Sequence, residues 1–260
     1  MASSRTAYVA FATPAPDGLT VAGRLDLPPV APPGPAVLIC HGSDGVDGRG
    51  AFYADALNVA GLATLEIDMW AARGSARGAA ARPGSPLETL PDAFAALAFL
   101  SAQPEIDPAR IGILGFSWGG VVSLMSATRR CADAHGHAGP RFAAHAANYP
   151  VCWAYGRARG LDLTDLTGAP VLLQVGDNDG YDEPDAGAQL LARLHAHDAA
   201  LIELVTHKGA GHGFDRDLPA QTINDPFSHG GKGGAVEMRF NRKAAEEARG
   251  NVVRFFTTRL

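Results

Sequence analysis

Ser117 lies in the string Gly115-Phe116-Ser117-Trp118-Gly119-Gly120, and three aspartates, Asp177, Asp179 and Asp182, and then His212 follow it along the chain. A serine hydroxyl is a weak nucleophile. It attacks a carbonyl only when a base takes its proton, and the base works best when a third group fixes its tautomer. The Gly-x-Ser-x-Gly spacing is that of a nucleophile elbow, a strained strand-to-helix turn whose flanking positions must lack side chains because neighbouring backbones crowd the serine. Serine, then acid, then histidine is the chain order in which an α/β arrangement delivers such a set. A phosphate-binding loop is the plain alternative for a glycine-rich turn, but no Gly-Lys-Ser/Thr follows, and Gly112, Gly115 and Gly119 do not fit Gly-x-Gly-x-x-Gly.

Such residues need strands that end beside one another. The apolar run Arg110 to Leu114 predicts a buried strand entering the elbow, and Val121 to Ala127 a helix leaving it, ending near Arg129 and Arg130. Thr6–Ala12 and Leu19–Leu27 read as an antiparallel hairpin at a sheet edge, joined by the turn chemistry of Pro14 to Gly18. Ala36–Cys40, Leu62–Ile67, Phe142–Tyr149, Pro170–Val175 and Leu201–Val205 read as further strands, most of them apolar on both faces. Helices are predicted over Ala51–Ala60, from the capping box at Ser85 to before Pro104, over Glu183–His197, and from the Asn241 cap through Arg259. Alternating strands and helices predict an α/β fold with a mostly parallel sheet, in one domain spanning residues 1–260. Ala71 to Pro86 is expected to be a long loop, and Val151 to Gly168 a loop with a short helix at most.

Asp177, Asp179 and Asp182 share the loop after the Val171–Val175 strand, where spacing alone does not separate them. His212 sits between glycines after the last strand. Hydrolysis also needs amide donors for the oxyanion that develops on the attacked carbonyl. Trp118, at a helix N-terminus, supplies one; the loop His41-Gly42-Ser43 after the Ala36–Cys40 strand places the Ser43 amide for the other.

The elbow string, the upstream Asp107-Pro108-Ala109-Arg110-Ile111-Gly112, the Gly176-x-x-Asp179 strand end and Gly211-His212-Gly213-Phe214-Asp215 together resemble the dienelactone hydrolase family of α/β-hydrolases, over about Ala36 to Phe256. The resemblance implies a sheet of about eight strands with helices on both faces, no large separate lid domain, and action on esters and lactones. It assigns Ser117 as nucleophile, Asp179 as orienting acid and His212 as base. The name-giving enzymes carry cysteine at the position of Ser117 and a restraining carboxylate near the first-strand loop, which Cys40-His41-Gly42 does not match. Serine-bearing relatives look like broader esterases and are the better guide.

The chain has 260 residues, 47% of them hydrophobic, and a net charge of -5 with its arginines scattered, so nothing recruits nucleic acid. No basic n-region or membrane-length apolar run is present, which predicts a cytoplasmic protein acting on a small molecule, as monomer or homodimer. Cys40, Cys131 and Cys152 read as buried apolar groups rather than a disulfide framework. No metal or organic cofactor is called for, and the pairs His135-x-His137 and His195-x-His197 read as solvated; for the second pair, i and i+2 on a helix point to different faces. Arg73, Arg77 and Arg82 sit in a solvated loop or meet a substrate carboxylate, and the segment between His212 and Asn241 is long enough to fold over a pocket. A peptidase, an acyltransferase or a non-catalytic ligand-binding relative of this architecture stays open at this level.

Overall fold

The computed structural model describes residues 4–14, 18–75, 82–136 and 139–260. In chain order it contains β1 (Arg5–Ala12), β2 (Thr20–Leu27), β3 (Gly34–Cys40), α1 (Gly48–Val59), β4 (Ala63–Asp68), α2 (Leu90–Ser101), β5 (Ile106–Phe116), α3 (Trp118–Ser126), α4 (Arg129–Gly136) and β6 (Ala144–Asn148). There follow β7 (Val171–Gly176), α5 (Ala186–Arg193), α6 (Ala196–Ala199), β8 (Ile202–His207), β9 (Gln221–Asp225), the single turn α7 (Ser228–Gly231), β10 (Gly234–Met238) and α8 (Arg242–Arg259).

Eight strands form one sheet in the order β1-β2-β4-β3-β5-β6-β7-β8. β2 runs antiparallel to β1 and to β4, and the remaining pairs are parallel. The expected edge hairpin is β1 and β2; residues 15–17 of its turn lie outside the described residues. Successive side chains of a strand face opposite ways, so the apolar runs serve two cores at once. Val37, Ile39, Leu114 and Phe116 pack under α1 and α8, while Leu38, Cys40, Ile113 and Leu173 pack under α2, α3 and α5. This two-sided cover is why β3, β5 and β7 read as continuous hydrophobic stretches. No helix among the described residues is long and apolar enough to cross a membrane.

Several boundaries differ from expectation. β5 starts at Ile106 instead of Arg110, with an irregular register between Gly34 and Ala36 that accommodates Pro108. The helix after the elbow stops at Ser126. Thr128 pairs with Leu166, and its hydroxyl accepts the Cys131 amide, so α4 is a new helix. The predicted helix Glu183–His197 is broken at Leu194, which is extended (ψ 158°). The break lets the buried Asp198 carboxylate accept the amides of Asp165 and Leu166 at 3.0 and 2.9 Å, a tertiary demand that overrides local helix preference. The Ser85 capping box is present, but it opens a 3-10 turn over Pro86–Thr89 before α2.

Candidate active site

β5 delivers Ser117 to a turn in which its backbone is held at φ 50°, ψ −108°, a conformation costing about 1–3 kcal/mol that the surroundings must impose. They do so through backbone contacts. The Ser117 amide donates to the Asn148 carbonyl at 2.9 Å, and the Gly119 amide to the His41 carbonyl at 3.1 Å. A Cβ on Gly115 would stand 1.9 Å from the Gly119 oxygen, and one on Gly119 would stand 2.1 Å from the Cys40 oxygen. Both glycines of the elbow are therefore demanded by close approach.

β7 carries Asp179 just past its C-terminal end, and β8 carries His212. The His212 Nδ1–H donates to Asp179 Oδ2 at 2.8 Å, which leaves Nε2 to accept from the Ser117 hydroxyl at 2.8 Å. The other Asp179 oxygen accepts the Tyr181 amide at 2.8 Å. Both Asp179 and His212 are buried. The imidazole lies between two aromatic rings, Tyr181 with centroids 4.1 Å away and Tyr149 edge-on. The turns bearing Asp179 and His212 are joined backbone to backbone. The Asn178 amide donates to the Ala210 carbonyl at 3.0 Å, the Asp177 amide to that of His207 at 3.2 Å, and a Cβ on Gly176 would stand 2.0 Å from the Ala210 oxygen.

The neighbouring aspartates have other partners. Asp177 accepts the Gly209 amide and ties the two turns together. Asp182 accepts the amides of Cys152 and Trp153 at 2.6 and 2.7 Å; burial, with the Asp179 charge beside it, pushes its carboxyl up to about 6.

The loop after β3 is pinned by His41. Its Nδ1 donates to the Gly42 carbonyl at 2.8 Å and its Nε2 accepts the Met69 amide at 2.9 Å; burial lowers its pKa to about 4, so it stays neutral. Ser43 lines the same cavity as Ser117. Its carbonyl accepts from Trp70 Nε1 at 3.0 Å and its hydroxyl from Arg82 at 2.9 Å. The Trp118 amide opens α3, where no carbonyl of its own helix lies upstream to accept it.

Neither Arg73 nor Arg82 of the long loop is solvated as expected. Arg73 is tied to the buried Asp92 at 2.6 and 3.0 Å and is structural. Arg77 lies outside the described residues. Arg82 lines the cavity with its side chain 8% exposed and binds Asp225, at the end of β9, in bidentate fashion at 2.8 and 2.9 Å. The β9–β10 hairpin, which the polar sequence of this segment did not announce, packs Phe227 against the same cavity. Val151 and Ala154 line it too, while the thiol of Cys152 is fully buried in the core and raised in pKa by that burial.

Behind Ser117 and His212 a buried network joins Asp215 to Tyr53 at 2.8 Å, to Asn148 at 3.3 Å and to the Tyr149 hydroxyl. Tyr149, Tyr181 and Asp225 carry little signal in the sequence, beyond Tyr149 and Tyr181 following strand ends on the edge that bears Ser117 and His212. His195 and His197 stack with centroids 5.6 Å apart, because His195 precedes α6 and the two are not on one helix. His137 lies outside the described residues.

Comparison with known proteins follows the geometry. The family model for the dienelactone hydrolase family matches residues 21–260. An uncharacterized protein of Mycobacterium tuberculosis is 40% identical over 99 residues, 37% of this chain and 33% of its own length. A probable 2-oxo-3-(5-oxofuran-2-ylidene)propanoate lactonase of Bradyrhizobium sp is 31% identical over 129 residues, 49% of either chain. These matches thus span between a third and a half of the curated relatives. Among solved structures, a dienelactone hydrolase-like promiscuous phosphotriesterase from metagenomic libraries superposes with a TM-score of 0.68 at 18% identity, covering 99% of both chains.

Proposed function

Because the chain belongs to the dienelactone hydrolase family, we propose that it is a serine hydrolase that cleaves a carboxylic ester or lactone through an acyl-enzyme. The observation that carries this reading is the unbroken line Ser117–His212–Asp179, with 2.8 Å at each step. His212 Nε2 takes the Ser117 proton as Oγ bonds to the acyl carbon, and Asp179 holds the imidazolium that results. The oxyanion of the tetrahedral intermediate lies between the amides of Trp118 and Ser43, with the α3 dipole adding to the field. His212 then gives its proton to the leaving alkoxide. For a lactone, that alcohol stays joined to the acyl group. Water, deprotonated by the same imidazole, attacks the acyl-enzyme, and collapse returns Ser117 to its hydroxyl form.

Labelling with a fluorophosphonate, combined with turnover of phenyl acetate, tests the reading. Wild-type protein is expected to label at Ser117 and turn over. Ser117→Ala, checked for folding by circular dichroism, should lose the label and drop kcat by about three orders of magnitude or more. Retained turnover in that variant would remove the mechanism.

A further inference from the structure

Among the described residues lining the cavity beside Ser117, Arg82 is the one that carries a charge, and that charge is already matched from within the protein. Nη1 donates to both Asp225 Oδ2 and the Ser43 hydroxyl, so its two hydrogens are committed; Nη2 donates to Asp225 Oδ1. The guanidinium is flanked by the rings of Trp118 and Phe227, 5.6 and 5.3 Å from their centroids. Asp225 is 2% exposed and also accepts the Phe227 amide at 2.8 Å and the Tyr181 hydroxyl. Burial works to raise its carboxyl, but Arg82, the Phe227 amide and Tyr181 together hold it below the usual carboxylate range, so it is charged at neutral pH. Apolar side chains of Pro86, Val121, Val151, Ala154 and Leu161 make up much of the described wall. Its volume is about 60 Å³, room for a short acyl chain or a small ring and well below the ~300 Å³ or more of a drug-sized site.

We propose that Asp225 is a built-in counter-carboxylate that fills the cationic arm of the pocket, so that the site takes small uncharged esters and lactones and turns away substrates that bring a carboxylate of their own. An incoming carboxylate meets Arg82, whose charge Asp225 already matches from behind the cavity wall, and a carboxylate that finds no unmatched cation in a desolvated space is strongly disfavoured. The Arg82–Asp225 pair also ties the β9–β10 hairpin to Ser43, and Asp225 reaches Tyr181, which packs on His212. The counter-ion is thereby held in place from three sides. This inference rests on the ester- or lactone-hydrolase reading above.

Two matched pairs test it, ethyl butyrate against monoethyl succinate and γ-valerolactone against γ-carboxy-γ-butyrolactone, each rate divided by that of hydroxide alone. Wild-type protein is expected to favour the neutral member by about two orders of magnitude in kcat/KM, mostly through KM. In Asp225→Asn, an isosteric change checked by thermal melting, the gap should narrow by about tenfold or more because the anionic substrates gain. The Arg82→Gln/Asp225→Asn double variant should lose that gain. A wild-type preference for the anionic member overturns the inference without any variant, as does an unchanged ratio in Asp225→Asn. Fluorophosphonate labelling of the same wild-type preparation separates the two levels. An unlabelled protein defeats the hydrolase reading itself, whereas a labelled one with reversed charge preference defeats only the role given to Asp225.

Discussion

Tyr149 stands edge-on to His212, ring centroids 5.0 Å apart at 66°, while its hydroxyl meets Asp215 and lies 3.3 Å from Arg49 Nη1. One side chain thus packs against His212 and satisfies a buried carboxylate. Tyr149→Phe keeps the ring and strips the hydroxyl from Asp215, so stability should fall by about 1–3 kcal/mol while kcat changes little. Urea midpoints and ester turnover measure the two effects separately. A Phe variant of unaltered stability but lost activity would place the hydroxyl in the chemistry instead.

The acid proposed for the triad, Asp179, is separable by mutation from its neighbour. Asp179→Asn should lower kcat/KM by about 10⁴, because the amide no longer fixes the His212 tautomer. Asp177→Asn keeps an oxygen that accepts the Gly209 amide and removes only the charge, so it should leave kcat/KM within a small factor. Equal losses in both variants would mean that the Asp179–His212 contact is not the one used in turnover.

Glu66 gives a pH dependence of stability. It faces Gly50 of α1, whose Cβ would stand 1.8 Å from the Glu66 carboxylate, and burial, with the Asp47 charge next, raises its pKa from 4.5 to about 7. The folded state therefore binds more protons than the unfolded one between these values. Stability is fully present below the unfolded pKa and falls as pH rises through the folded one, by on the order of 2–3 kcal/mol. Glu66→Gln should flatten that slope and leave the variant more stable than wild type at about pH 8. Chemical denaturation at a series of pH values reads it directly, and an unchanged slope would contradict it.

The elbow glycines should tolerate no side chain. Gly119→Ala drives a methyl into the Cys40 carbonyl and should give insoluble or unfolded protein. Gly74, at φ 61° with open space around it, is the control; Gly74→Ala should cost about 1–2 kcal/mol from the backbone alone. Thermal melts of the two variants make the comparison, and a Gly119→Ala protein that melts like wild type would rule out the close approach.

What the sequence made legible were the elements with strong local signals. β3, β5, β7 and β8 stand where their apolar runs predict them, and the residues just past their ends, His41, Ser117, Asp179 and His212, fall on one edge of the sheet as chain order requires. The assignment of Asp179 over Asp177 needed either the family resemblance or coordinates, since spacing does not distinguish two carboxylates in one turn. The β9–β10 hairpin was illegible because four of the five β9 residues are at least partly exposed and carry no apolar alternation. The role of Arg82 depends on an aspartate 143 positions away, and the break at Leu194 depends on what Asp198 binds across the molecule. Contacts of that range leave no periodic trace.

The backbone joints around the site fall into two groups. Ser117 is locked to β6 through Asn148 and, by way of Gly119, to His41 and the end of β3. Asp179 and His212 are locked to each other by the abutting turns at Gly176 and Ala210. The two groups are themselves tied where the Tyr149 amide donates to the Gln174 carbonyl at 2.6 Å and the Gln174 side-chain amide to Asn148 Oδ1 at 3.0 Å. The hydrogen bond from Ser117 to His212 therefore closes a ring of contacts whose far side is the β6–β7 ladder.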